Sequence, residues 1–436
     1  MKSWFFRCVP VVVVFTLAAC GGQGGSSVPP PTNVQATGGD SYIQVSWDVT
    51  AGVDYFVFSA TDPALTTLNW LNLNGSAAYV NVTSPLTLCA QSNGQQRWFT
   101  VNGRTGAAPG GAGSVVVSAT PRSAGDTWNG GATLASSLAG IGFGGMTTCK
   151  RAGLPTGVLT AVGPGATLYS STDAVNWTLR TPPAGFTTDL YAVANYTATP
   201  DSATSEFGMR TIAVGAGGAA LVSTDGSTTW SVGQAFDPSR GTLRAIRSVG
   251  SAFVAVGDGG TIRSTTDGTT WNTLNSNTAT NLNGIAYGNG RYVAVGDSGT
   301  ILISTDAGVT WSVQTIAGAG NLRAVAYGNN NNSIDNGGVV LINTFVAVGD
   351  SGTAVVSNDG GATWTVKLVA GAGDLAAIAY TSRFVAVDRT GNAFASANGQ
   401  AWSNPITSGR TGLRAVAING YGFIAVGDGG VTTSSF

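Results

Sequence analysis

Histidine is absent from all 436 residues, and glutamate occurs once, at Glu206. Without imidazole, Ser-His-Asp and Cys-His nucleophile systems cannot be assembled, and most zinc sites lose a ligand. Aspartate, arginine and four cysteines are left to carry chemistry. Paired aspartates would suit inverting glycoside hydrolysis, which uses two carboxylates. However, Asp258, Asp297, Asp350 and Asp428 each follow a Val-Gly pair. Such recurrence marks a structural turn residue, because a catalytic centre breaks repeat symmetry. Arg244, Arg323 and Arg414 occupy equivalent places in Leu-Arg-Ala segments, and Arg247 and Arg291 could join them. Two readings are open: Arg–Asp pairs that tie strands together, or an arginine cluster that grips carboxylates of a partner protein or an acidic glycan. Asn329 to Asn332 with Asp335 offer oxygen ligands for calcium but lack the regular aspartate spacing of a calcium loop. A solvated hairpin tip is expected there, with no metal and no cofactor.

The elements that must position these residues are short strands. Charged residues are only 9% of the chain, glycines number 64, and the formal net charge is −1. This composition favours many strands joined by tight turns and gives no basic footprint for nucleic acid. One unit recurs. A short strand is followed by a second reading aromatic-Val-Ala-Val-Gly-Asp, a Gly turn, a third strand, and Ser-x-Asp-Gly-x-Thr-Trp. The second strand occurs at Phe253 to Asp258, Tyr292 to Asp297, Phe345 to Asp350, Phe384 to Val387 and Phe423 to Asp428, with weaker copies at Leu159 to Gly163 and Thr211 to Gly215. Seven copies at this spacing imply a seven-bladed β-propeller over residues 121–436. The last repeat stops after its third strand. Asp126-Thr127-Trp128-Asn129 reads as the end of a turn motif without its start, and Ser434-Ser435-Phe436 as a start without its end. Residues 126–130 are therefore expected to pair beside Ser435 and close the ring, which removes open sheet edges.

The third turn resembles the Asp-box, or BNR motif. Ser304 to Trp311 and Ser357 to Trp364 match in full; Ser223 to Trp230 has Ser227 in the glycine place; Ser171 to Trp177, Thr265 to Trp271 and Ser396 to Trp402 are one residue shorter. Asp173, Asp225, Asp267, Asp306, Asp359 and Asn398 are the structural box residues, whose side chains accept turn amides. Asp-box propellers include sialidases. That resemblance would imply an arginine triad and a Tyr–Glu pair on the face opposite the boxes, but Glu206 lies in an insertion on the box face and no Phe-Arg-Ile-Pro segment precedes the repeats. The repeat is more similar to the propellers of photosystem II stability and assembly factors, which implies a protein-binding role. No enzymatic activity is expected; a sialidase-like glycan hydrolase is the alternative.

Residues 31–120 read as a separate β-sandwich. Strands fit Val34 to Ala36, Ile43 to Trp47, Tyr55 to Phe58, Ala78 to Val82, Trp98 to Val101 and Val115 to Val117. The run Pro31-Thr32-Asn33-Val34-Gln35-Ala36, then Ile43-Gln44-Val45-Ser46-Trp47, resembles a fibronectin type III domain with Trp47 in the core. The fold class is thus all-β: a fibronectin type III-like sandwich, then a propeller closed by an N-terminal strand.

At the N-terminus, Lys2 and Arg7 precede the apolar run Val9 to Leu17, followed by Leu17-Ala18-Ala19-Cys20. This is a targeting segment and resembles a bacterial lipobox. Residues 1–19 would be removed as a lipoprotein signal peptide, Cys20 lipidated, and residues 20–30 left as a Gly/Ser/Pro tether. Gly21 in place of aspartate points to the outer membrane, with the protein periplasmic or surface-exposed. A monomer is expected. An exported chain permits a disulfide between Cys89 and Cys149; two free buried thiols are the other reading.

Overall fold

The computed structural model describes residues 28–40, 42–89, 91–106, 110–144, 157–197, 209–335, 338–419 and 422–435. The first seven strands are β1 (Gln35–Gly39), β2 (Tyr42–Ser46), β3 (Asp54–Ala60), β4 (Ala77–Val82), β5 (Leu86–Cys89), β6 (Arg97–Arg104) and β7 (Val117–Ala119). They form a three-stranded sheet in the order β1-β2-β5 and a four-stranded sheet in the order β4-β3-β6-β7. β5 was not anticipated: its Leu-Thr-Leu-Cys is too short and too polar on its flanks to stand out. The expected strand at Val115 to Val117 begins only at Val117, and Val115 is exposed. Trp47 is buried and packs against Tyr55, the rings tilted at 54° with centroids 5.6 Å apart.

The chain does not divide at residue 120. Trp47–Ser84 and Trp98–Val117 belong to one compact unit, while Gln35–Ser46, Pro85–Arg97 and Ser118–Phe436 make the other. The reason is visible in the second unit. The Arg122 amide donates to the Gly39 carbonyl at 3.1 Å, the Gly94 amide to the Pro121 carbonyl at 2.7 Å, and the Ser382 hydroxyl to Asp40 at 2.7 Å.

Within the second unit, the described residues include seven four-stranded antiparallel meanders. Their first strands are Gly140–Gly144, Leu190–Thr197, Leu243–Val249, Leu282–Gly288, Leu322–Asp335, Leu375–Tyr380 and Leu413–Ile418. Each first strand neighbours those of the blades before and after, and blade seven returns to blade one. This ring is a β-propeller.

The Phe-Val-Ala-Val run is apolar at every position because its strand is buried on both faces. In blade five, Phe345 and Ala347 pack with Val293, Val295 and Ile303 of blade four. Val346 and Val348 pack the other way, with Phe384 and Ile378 of blade six. Each seam also receives one tryptophan: Trp177, Trp230, Trp271, Trp311, Trp364, Trp402 and Trp128 in ring order.

Ring closure follows the expected logic with a shifted register. The closing strand is Asn129–Thr133, not residues 126–130, and it pairs antiparallel with Val431–Ser435. Residues before Asn129 are occupied otherwise. In blade four the Gly308 amide donates to Ser304 Oγ at 2.9 Å; in blade seven the Gly125 amide donates to Ser435 Oγ at 2.7 Å. Gly125 has φ +93° and Gly308 φ +92°, a left-handed conformation that glycine adopts without a Cβ penalty. Gly125 to Trp128 is therefore the second half of a turn whose first half is at the other end of the chain. Two arginines clamp it. Arg383 donates to the Ala124 carbonyl at 2.7 Å and to Asp126 at 2.6 Å, and Arg410 donates to the Gly131 carbonyl at 2.5 Å.

The insertion at Gly328 to Thr344 extends the first hairpin of blade five, Leu322–Asp335 with Gly338–Gly349, as expected. No helix among the described residues is long and apolar enough to cross a membrane.

Candidate functional site

The first strands surround a cavity of about 430 Å³ in the middle of the ring. Each blade contributes three consecutive residues, so the blades can be compared place by place. The first of the three is always Ile or Val, as at Ile141, Ile246 and Val325. The second is Gly142, Ala194, Ala286, Ala326, Ala379 or Ala417 in six blades and Arg247 in blade three. The third includes Phe143, Tyr287, Tyr327 and Tyr380. At the second place Ala194, Ala286 and Ala326 are nearly inaccessible and a Cβ on Gly142 would meet the Val193 carbonyl oxygen at 2.8 Å, whereas Ala379 and Ala417 are half-buried. Arg247 departs from this run of small residues and, among the described residues lining the cavity, is the one that carries a charge.

Arg247 is exposed to the solvent of the cavity, which is open in part, while protein atoms crowd around its guanidinium. Burial lowers its pKa from the ordinary value, and neighbouring Tyr292 works against that lowering. Burial likewise pushes the Tyr292 phenol up to about 12, with Tyr287 adding to the rise and Arg247 opposing it. Among the described residues no hydrogen bond or ion pair engages the Arg247 guanidinium. A guanidinium with no protein partner among the described residues can attract an anion that enters the cavity, because the Coulomb attraction is screened less there than in open water. Tyr327 and Tyr380 are held in place: the Tyr327 hydroxyl donates to Asn343 Oδ1 at 2.6 Å and the Tyr380 hydroxyl to the Asn329 carbonyl at 2.9 Å.

The five arginines do not form one cluster. Arg244, Arg323 and Arg414 sit near the start of the first strands of blades three, five and seven, where each pairs with the aspartate after its own Val-Gly turn. The pairs are Arg244–Asp258, Arg323–Asp350 and Arg414–Asp428. Arg323 Nε donates to Asp350 at 2.6 Å, and a second carboxylate, Asp374, lies 3.7 Å from Arg323. In blade four Asn283 takes the arginine place and donates to Asp297 at 2.8 Å. Of the two readings, strand-tying pairs describe these three arginines. Arg247 lies further along the strand inside the ring. Arg291 starts a second strand, at the box end of its blade, and donates to the Gly360 carbonyl at 2.7 Å. The grouping failed because it rested on residue type, whereas two or three residues along a strand move a side chain by roughly 7–10 Å.

The box residues do what their turns require. The Thr310 hydroxyl and amide and the Ser304 hydroxyl hold the Asp306 carboxyl at about 2. At Asp225 and Asp359 burial opposes the shift, but bonds from Thr229 and Thr363 outweigh it and leave both at about 2. The Thr270 and Thr269 amides lower Asp267. At Asp173 burial again opposes, and the Asn176 and Val175 bonds win. Asn398 Oδ1 accepts only the Gln400 amide, at 3.0 Å. Five box tryptophans donate their indole N–H to the carbonyl three residues back, as Trp311 does to Gly308 at 2.9 Å. Ser227, at φ +64°, instead shares a 2.7 Å hydrogen bond with the Thr160 hydroxyl, and the Trp230 indole N–H has no partner among the described residues.

Cys89 is disulfide-bonded, and its partner lies outside the described residues. Cys149 and the lipidation candidate Cys20 also lie outside them, as does Glu206.

No family model matches the chain, and no curated protein does. Solved structures do. YCF48 bound to D1 peptide is similar with a TM-score of 0.53 at 16% identity, over 71% of this chain and 96% of that one. YCF48 from Cyanidioschyzon merolae is similar with a TM-score of 0.50 at 15% identity, over 71% and 98%. The WD40 β-propeller domain of Doa1 is similar with a TM-score of 0.50 at 9% identity, over 71% and 95%. At such identities the likeness concerns the fold: the chain carries a β-propeller similar in structure to those of YCF48.

Proposed function

We propose that the protein is a non-catalytic scaffold whose propeller interior holds a carboxylate-bearing segment of a partner protein. One observation carries this reading: among the described residues Arg247 stands unpaired in a cavity otherwise lined by neutral residues, at a place where the other six blades have glycine or alanine. A volume of about 430 Å³ is within the range of ligand pockets. YCF48, a propeller of similar fold, has been solved bound to a D1 peptide, which makes a peptide a reasonable class of occupant. The paired arginines at the strand starts contribute to the ring and not to the ligand.

The same reading places the protein in a bacterial envelope, anchored to the outer membrane through acylated Cys20, with Cys89 bridged to Cys149. The strand orders β1-β2-β5 and β4-β3-β6-β7 support a fibronectin type III-like module ahead of the propeller. Crosslinking pull-downs from native envelopes test the function. Arg247→Ala is expected to cut partner recovery at least about tenfold, the scale of one lost charge-assisted contact, while the Arg244→Ala/Arg323→Ala/Arg414→Ala variant keeps recovery. Loss in the triple variant with full recovery in Arg247→Ala would reverse the assignment, and turnover of a glycan by the purified protein would replace scaffold with hydrolase.

A further inference from the structure

The unit built on Trp47–Ser84 and Trp98–Val117 carries a loop that the propeller reading does not use. Leu68 is 93% exposed and Leu71 70% exposed, large apolar side chains turned outward by a rigid scaffold. Asn69 and Thr66 hold the turn. The Thr66 amide donates to Asn69 Oδ1 at 2.7 Å, the Asn69 amide to Thr66 Oγ1 at 3.1 Å, and Asn69 Nδ2 to the Ala64 carbonyl at 2.7 Å. Leu65 is buried beneath, and Trp70 packs on Phe58 at 5.4 Å between ring centroids. The backbone of the turn is thus already ordered, and binding has only the leucine side chains left to fix. No charged residue occurs from Pro63 to Gln96.

The same unit shows what lies opposite the loop. A Cβ on Gly113 would meet Thr67 Cγ2 at 2.8 Å, and a Cβ on Gly111 would meet the Val28 carbonyl oxygen at 2.2 Å. Two residues of one extended segment therefore touch the loop and the place where the N-terminal chain joins the unit. Val115, two residues further on, is 75% exposed. Cys20 is eight residues before Val28, a contour of at most about 28 Å. Lipid on Cys20 would keep this side of the unit within that distance of the bilayer.

We propose that the Leu65–Leu73 loop is a second membrane contact, with Leu68, Leu71 and Val115 entering the lipid interface beside the acyl anchor. It rests on the Cys20 anchor proposed above. The two acyl chains of a lipobox cysteine already anchor the chain, so the loop sets how the unit lies on the bilayer, and a contact without charge is indifferent to salt. The test uses the mature acylated chain with Asn72→Cys carrying an environment-sensitive dye, on vesicles of phosphatidylethanolamine and phosphatidylglycerol. A blue shift and quenching by nitroxides high on the acyl chains are expected, unchanged in concentrated salt and lost in Leu68→Ser/Leu71→Ser. A dye that stays in water on vesicle-bound chain overturns the loop contact and leaves the anchor standing. A mature chain whose mass shows no acyl group on Cys20, and which stays in solution, overturns both.

Discussion

Four arginines stand on the first strands of the propeller, in two unlike environments. Arg244, Arg323 and Arg414 recur at one place in the repeat, and each finds the aspartate that recurs beside it. Arg247 occurs once, where the repeat otherwise supplies glycine or alanine, and finds no partner among the described residues. The difference separates the work of the ring from the work of the cavity. A residue written into several blades meets a need that every blade has. On the proposed reading, a residue written into one blade alone meets a need outside the repeat.

The largest effect should come from the recurring side. Trp128→Ala removes the tryptophan that seals the seam between blades six and seven, and about 3 kcal/mol of unfolding free energy should go with it. Trp311→Ala in the continuous box of blade four should cost a similar amount; chemical denaturation of the two compares a split turn with an intact one. Arg383→Ala is next, at about 2 kcal/mol, since three hydrogen bonds from a charged donor to the closing segment are lost. Arg323→Ala should cost under about 1 kcal/mol, as a partly exposed ion pair does. Arg247→Ala should leave the melting temperature unchanged or raise it, because an uncompensated charge is removed. A clear destabilisation there would erase the contrast drawn above.

The smallest effect is with pH. The box carboxyls of Asp225, Asp306 and Asp359 lie at about 2 in the folded protein, below the value near 4 that an unfolded aspartate has. Their contribution is complete above about pH 4 and is lost as pH falls toward 2. Denaturation midpoints should therefore be flat from neutral to about pH 4 and fall below it. The Asp306→Asn variant should show a shallower fall.

Much of the ring could be read from the residues alone, because it is written several times. The Phe-Val-Ala-Val strands, the boxes and the separated halves at Asp126–Asn129 and Ser434–Phe436 each signalled their role. The exact closing register was not legible, since the turn begun by Ser435 uses Gly125 to Trp128 before a strand can start. Nor was the partition of the first seven strands, which depends on hydrogen bonds such as Asp40 with Ser382 across more than three hundred residues. The candidate site was half legible. Arg247 departs visibly from the repeat, but grouping it with Arg244 and Arg291 hid that departure until the cavity placed them apart.

The central claim is that the cavity beside Arg247 is where a partner is held. A photo-crosslinking residue in place of Ala417, on the cavity wall in blade seven, tests it in native envelopes. The account predicts a defined adduct that disappears when Arg247→Ala is added and is absent when the crosslinker replaces exposed Leu368 on an outer strand. An adduct from Leu368 alone, or one from Ala417 that is indifferent to Arg247→Ala, would contradict it.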